Sequence, residues 1–357
     1  MAKIKKNYLK PKVPGTGHDL GRLVAENDDS LDEYYVGTER YVSRAMNVED
    51  PAVFFIGPKG VGKSAILQMV QLLQTRNGSR VIEIRPDDLA FSSLALATPS
   101  SPVIGEAGKH QWLFKTLWDY ALSLEVLKRE YPDSSEMGDW LLSFFRGRYE
   151  KEARKLVSIS QRHKVSLTDR ILQLVDEIQF SGEQGGTTAT GGVKLRPANT
   201  GSEDSTRLLS LVNSVARHLR ENLKHRYYIL IDDLDLYWDN SEVQNAFIAA
   251  LFSSLSHISR PPFLKAAVAL RENIYNCLPI VDRDKSPDSI CKVSWTKNSV
   301  KEMVENRVSH KFNATQGEVW SEVFPAHAFD EIYQHSTGRP REVIRLEAVS
   351  KPLKYDK

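Results

Sequence analysis

Cysteine is nearly missing from this chain: two in 357 residues, Cys277 and Cys291, with neither metal-ligand spacing nor a Cys/His pair beside them. That pattern fits a reduced, cytoplasmic setting in which both thiols serve as small buried apolar residues. Long hydrophobic runs are missing too. None approaches the ~20 residues needed to span a bilayer, so no membrane partner is expected. Neither sign of charge prevails, with 48 Lys and Arg against 46 Asp and Glu, and whole-molecule charge therefore argues for no particular partner. Lysines stand at 3, 5, 6, 10 and 12, but no apolar core follows them. Residues 1–33 thus read as a basic arm and not as a secretory signal. No internal repeat is apparent. What is present is an apolar fraction of 41%, enough to bury a substantial core in one α/β domain with insertions or in two domains.

The most informative segment is Gly57-Pro58-Lys59-Gly60-Val61-Gly62-Lys63-Ser64, followed by Ala65. It meets G-x-x-x-x-G-K-[ST] at every fixed position, a match expected by chance in roughly one in a hundred chains of this length. The context agrees. Ala52 to Ile56 reads as a short buried strand, and Ser64 to Leu73 has the apolar spacing of a helix. Gly57, Gly60 and Gly62 permit backbone angles that turn successive N–H groups inward toward oxygens, and the helix dipole adds to that field. Lys63 can reach the β- and γ-phosphates and the Ser64 hydroxyl can ligate Mg²⁺. A nucleoside triphosphate is the expected ligand.

The complementary half of such a site is a carboxylate at the end of a neighbouring buried strand, and Tyr227-Tyr228-Ile229-Leu230-Ile231-Asp232-Asp233 supplies it. Asp232 is the expected partner of Mg²⁺, directly or through water. Asp233 is expected to orient or deprotonate the attacking water. Asp235 follows in the same short loop and can brace either group.

The rest of the chain alternates strands and helices in the manner of a parallel sheet. A helix is expected over Tyr34 to Met46, strands over Arg80 to Arg85, Phe263 to Leu270 and Ile290 to Trp295, and a helix over Ser241 to Ile258 capped by Ser241. Val300 to Val308 opens a helical C-terminal region. Between the second and third strands lies an interval longer than an ordinary crossover, helical in pattern at Gln111 to Leu127 and Leu167 to Ile178. Ser181 to Ser205, rich in Gly, Thr and Ser, reads as a flexible loop or a short hairpin around Val193-Lys194-Leu195. The expected organisation is a basic arm (1–33), an ATPase core (34–90 and 206–295), a mostly helical insertion (91–205) and a C-terminal helical lid (296–357). Arg146 to Lys164 carries seven Lys and Arg beside Phe144, Phe145 and Tyr149. That mixture suits a nucleic-acid groove, but a solvated helix face with its aromatics in the core is the favoured reading.

With the loop FFIGPKGVGKSAI, the acidic strand ILIDDLD, Arg271 after KAAVAL, the Ser294-Trp295 phrase and Gly338-Arg339-Pro340-Arg341 in view, the chain resembles the AAA+-like P-loop ATPases that include the STAND, KAP and origin-recognition-like proteins. It is most similar to bacterial P-loop ATPases of antiphage defence loci. The resemblance implies an α/β P-loop NTPase fold with a parallel sheet, a helical insertion and a helical lid. It also implies ATP and Mg²⁺ as ligands and γ-phosphate sensing by Arg271 and Arg341. It further implies a homo-oligomer in which Arg283 reaches a neighbour's site, and a separate effector protein. The chain departs from the family pattern in carrying Asp233 where AAA+ enzymes usually place Glu. The function so implied is a slow ATPase acting as a conformational or assembly switch in a defence complex. A DNA-associated ATPase and a nucleotide-stabilised scaffold are the alternatives.

Overall fold

The computed structural model describes residues 25–28, 30–36, 39–85, 111–131, 138–140, 143, 154, 212–217, 219, 223–236, 238–258, 263–280, 287–312, 319 and 327–347. Among these residues the protein is α/β. Five strands form one sheet in the order β2-β3-β4-β1-β5, every pairing parallel. The strands are β1 (Phe54–Gly57), β2 (Arg80–Ile84), β3 (Tyr227–Ile231), β4 (Leu264–Arg271) and β5 (Ile290–Lys292). The helices are α1 (Leu31–Tyr34), α2 (Glu39–Met46), α3 (Lys63–Arg76), α4 (Gln111–Glu130), α5 (Glu242–Ile258), α6 (Glu272–Cys277), α7 (Lys297–Phe312), α8 (Ala328–Gln334) and α9 (Pro340–Glu347). By its internal contacts the chain divides into two compact units. One comprises Ser43–Pro58 and Val70–Lys292, the other Met1–Val42, Lys59–Met69 and Val293–Lys357.

The first unit contains the sheet. Its central strands are buried without alternation: β1, β3 and β4 up to Leu270 are buried at every position, as parallel strands covered on both faces require. Each fully buried Leu, Ile or Val there stabilises by about 1.5–3 kcal/mol relative to an exposed one. Exposed positions appear at the edge strands, at Glu83 of β2 and Lys292 of β5. Helices α4 and α5 pack through Trp118, whose indole N–H donates to the Phe247 carbonyl at 2.9 Å, and through an edge-on Phe114–Phe247 pair. The buried Asp119 carboxylate is satisfied by Lys115 Nζ and by the Ser254 hydroxyl, each at 2.5 Å.

Lys265, second residue of β4, is 1% exposed. Its Nζ donates to the Ala52 carbonyl at 2.7 Å and also to that of Asp50, tying β4 to the segment that enters β1. Burial pushes its pKa down to about 8, with Asp50 opposing the shift. A depressed ammonium pKa means the unfolded chain holds the proton between about pH 8 and pH 10.5, so stability grows as pH rises through that window and is lost again as pH falls from about 10.5 to 8. Compared with Lys265→Met, the unmodified protein should gain about 2 kcal/mol of unfolding free energy between pH 7 and pH 10, read from urea denaturation at both pH values. A constant difference would refute the buried-ammonium account.

The second unit has its own apolar centre, in which Val300, Val304 and Val308 of α7 meet Phe329 and Ile332 of α8 and Val343 and Ile344 of α9. Arg307 lies against Asp28 at 3.4 Å and over the Tyr34 ring at 4.6 Å, and Tyr34 donates its hydroxyl to Asp28.

Several expectations need correction. The single helix over Tyr34–Met46 is instead α1 and α2, because Tyr35 is extended (φ −68°, ψ 121°). Tyr34 is held at Arg307, whereas Tyr41 is held at Ser294. The last strand stops at Lys292, three residues before Trp295, and α7 runs beyond Val300–Val308 at both ends. Of the cysteines, Cys291 is buried but Cys277 is exposed, at the end of the short α6. Ser241 does cap α5, accepting the Gln244 N–H at 3.4 Å. The expected Leu167–Ile178 helix, the Ser181–Ser205 segment, Arg283, most of the basic arm and all of the basic–aromatic stretch except Arg154 lie outside the described residues.

Candidate phosphate-binding site

The chain leaves β1 at Gly57 and enters α3 at Lys63. In between, Gly60 (φ 84°) and Gly62 (φ 94°) are left-handed, while Val61 between them is not. Alternation of this kind turns consecutive N–H groups toward one side and makes an anion-binding concavity. Gly57 differs from the expectation: it is the last ladder residue of β1, paired in register with Arg271, and its φ is not positive. Its role is extended pairing and not a left-handed turn. Pro58 and Lys59 complete the turn, with Lys59 exposed. The first intrahelical bond of α3 runs from the Ile66 N–H to the Gly62 carbonyl at 3.1 Å, so the amides of Lys63, Ser64 and Ala65 precede the helical ladder. Lys63 is only 9% exposed, unlike Lys59.

At the carboxyl edge of the sheet, β3 delivers Asp232 and Asp233. The expected neighbouring strand is not a neighbour: β4 lies between β1 and β3. It ends in Arg271, alongside Gly57 on one side, while its Val268 pairs with Ile231 on the other. Asp232 prolongs the ladder by one bond, from its N–H to the Ile84 carbonyl at 3.2 Å. Its Oδ1 accepts the Asp233 N–H at 2.9 Å. Asp233 has φ 59°, a left-handed conformation that aspartate and asparagine tolerate better than most side chains. Leu234 is fully buried, and the Leu236 N–H returns to the Asp233 carbonyl at 3.0 Å, closing a pinned turn. Asp235 then forms an ion pair with Arg271. The brace anticipated for Asp235 therefore acts on Arg271.

Within the second unit, the loop's carbonyls are held from the C-terminal segment. The Trp295 indole N–H donates to the Val61 carbonyl at 2.7 Å, and the Arg341 N–H approaches the Gly60 carbonyl at 3.4 Å. A Cβ on Gly60 would stand 3.1 Å from Arg341 Cβ. Arg341 opens α9 as expected, and no carboxylate pairs with it among the described residues. The turn before it is fixed by Glu342, which accepts the Thr337 N–H at 2.9 Å and its hydroxyl at 2.5 Å. Those bonds hold the Glu342 carboxyl below the usual range.

Three contacts escaped the sequence reading: Trp295 was visible only as part of a phrase, Lys265 only as the first letter of KAAVAL, and the Asp235–Arg271 pair not at all. Among the described residues no group of three His, Cys, Asp or Glu side chains is placed to hold a metal. Comparison with protein-family models, curated proteins and solved structures finds no match to this chain.

Proposed function

We propose that the chain binds ATP with Mg²⁺ and hydrolyses it slowly, as an AAA+-like P-loop ATPase whose nucleotide state switches its conformation or assembly, in a defence complex as the resemblance implies. The observation that carries this reading is the loop itself: left-handed backbone at Gly60 and Gly62 leading straight into the first turn of α3. That geometry is suited to a polyphosphate, with backbone N–H groups and a helix N-terminus facing one concavity. The roles follow from chemistry. Backbone amides from Gly60 to Ala65 cradle the phosphates, and Lys63 neutralises them. Asp233 orients the attacking water and accepts its proton. Arg271 and Arg341 are the cations that the resemblance assigns to a terminal phosphate.

The Ser64 hydroxyl and the Asp232 carboxylate are hard oxygen donors of the kind Mg²⁺ accepts, and an ion that keeps several waters and binds through phosphates needs no three-carboxylate cage. When bound, such an ion would neutralise phosphate charge. Asp232→Asn should leave ATP binding in the absence of Mg²⁺ intact while removing most of the gain that Mg²⁺ gives. Calorimetric titration with and without the metal reads this directly, and a full Mg²⁺ effect in the variant would remove Asp232 from the metal's partners.

A further inference from the structure

Resting on that reading, we propose that Trp295 is a positioning residue for the phosphate chain. Its indole grips the loop by a carbonyl and thereby presets the Gly62 N–H for a phosphate oxygen. Trp295, Gly60, Val61, Gly62 and Arg341 all belong to the second unit. The Trp295 indole N–H donates to the Val61 carbonyl at 2.7 Å. In a trans peptide the carbonyl and the following N–H point in opposite directions, and no peptide bond among the described residues is cis. Holding the Val61 carbonyl therefore aims the Gly62 N–H away from the indole. The preceding peptide is restrained from the same segment, by the Arg341 N–H at 3.4 Å from the Gly60 carbonyl. The aimed N–H of Gly62 has no acceptor among the described residues, although Gly62 is partly buried. Backbone donors away from water are nearly always paired, and an oxyanion is the partner that a left-handed turn of this kind receives.

The indole can act as a clamp because it is itself fixed. Its ring packs against the apolar centre formed by α7, α8 and α9. The preceding residue, Ser294, is pinned to the Tyr41 hydroxyl through its N–H at 3.0 Å and its carbonyl at 3.1 Å. The following residue, Thr296, caps α7 by accepting the Ser299 N–H at 3.1 Å. The ring also lies against Gly62, where a Cβ would stand 3.8 Å from Trp295 Cζ2. Glycine has the most backbone freedom to lose, so ordering Gly62 before the ligand arrives removes part of the entropy that binding otherwise costs. The link also runs in reverse. A phosphate oxygen on the Gly62 N–H polarises the peptide group and strengthens the Val61 carbonyl as an acceptor. An occupied loop therefore holds the indole more tightly.

The test titrates the protein with tripolyphosphate, which presents the phosphate chain without a nucleoside, and with ATP, both with Mg²⁺. Trp295→Phe keeps a ring at the apolar centre and removes the donor. Both ligands should bind this variant about two- to tenfold more weakly, the worth of one hydrogen bond. In the unmodified chain the Trp295 indole proton, identified in NMR spectra by its proximity to the Gly62 α-protons, should move downfield and exchange more slowly with solvent when tripolyphosphate binds. A mere brace of the fold would lower the ligand-free thermal midpoint and leave both readouts unmoved. Equal affinities in the variant, or an indole proton indifferent to bound polyphosphate, would overturn the proposal and leave the ATPase reading in place. An unmodified chain that binds neither tripolyphosphate nor ATP would bring down both. The NMR measurement needs only the unmodified chain, and it decides the matter should Trp295→Phe fail to fold.

Discussion

Lys63→Ala should lower ATP affinity about 10- to 150-fold, the equivalent of about 1.5–3 kcal/mol for charge-assisted hydrogen bonds to phosphate. The proposed reading puts the phosphates at this loop, and of its two lysines Lys63 is buried while Lys59 is exposed. Burial makes the prediction sharper. A side chain held against the protein has less rotamer freedom to lose when a phosphate arrives than an exposed lysine has. The fold should survive the change, because alanine is a strong helix former at the start of α3. Calorimetric titration gives the affinity, and the nucleotide-free thermal midpoint gives the control. An unchanged affinity would end the assignment of this loop.

Asp233→Asn should bind MgATP as the unmodified protein does and turn it over 10²- to 10⁴-fold more slowly, the usual worth of a positioned general base. The backbone makes this substitution unusually clean. At φ 59° most replacements would strain the turn by about 1–2 kcal/mol, but asparagine tolerates the left-handed region as aspartate does. Loss of turnover would then report loss of a proton acceptor and not loss of shape. Single-turnover assays at saturating nucleotide separate the two, with Asp233→Ala included as the strained comparison. A parental rate in Asp233→Asn would assign water activation elsewhere.

What could be read from residues alone follows from how far each signal reaches. The five strands are marked by apolar runs because both faces of a parallel sheet are covered, and only their ends are misjudged. Ala52 was expected to open β1, whereas Phe54 does, although the Val53 N–H already pairs with the Ser289 carbonyl at 2.9 Å. The glycine-rich loop was legible because Gly60 and Gly62 supply a backbone conformation few residues can adopt. Adjacency was not legible. Nothing in the run Tyr227–Ile231 says that β4 separates it from β1, since lateral order depends on crossovers and not on local pattern. The break between Tyr34 and Glu39 was equally hidden, because its cause is a pair of distant anchors, Arg307 and Ser294. The exposed Cys277 was misjudged from composition, which describes the average cysteine and not one at a helix end. Asp235 was recognised as a brace, but its partner required the fold.

The place of β4 between β1 and β3 has a metrical consequence. Strands in a sheet keep a fixed lateral spacing of about 4.8 Å, so the carboxyl ends of β1 and β3 stand about 10 Å apart. Every residue of β4 from Leu264 to Leu270 is buried, and a packed strand cannot be compressed or thinned by changing its side chains. The sheet is therefore a ruler with one graduation. On the proposed reading, it sets how far a ligand anchored at the end of β1 would have to extend before the acidic turn could act on it, so that reach would select among ligands before side-chain chemistry does.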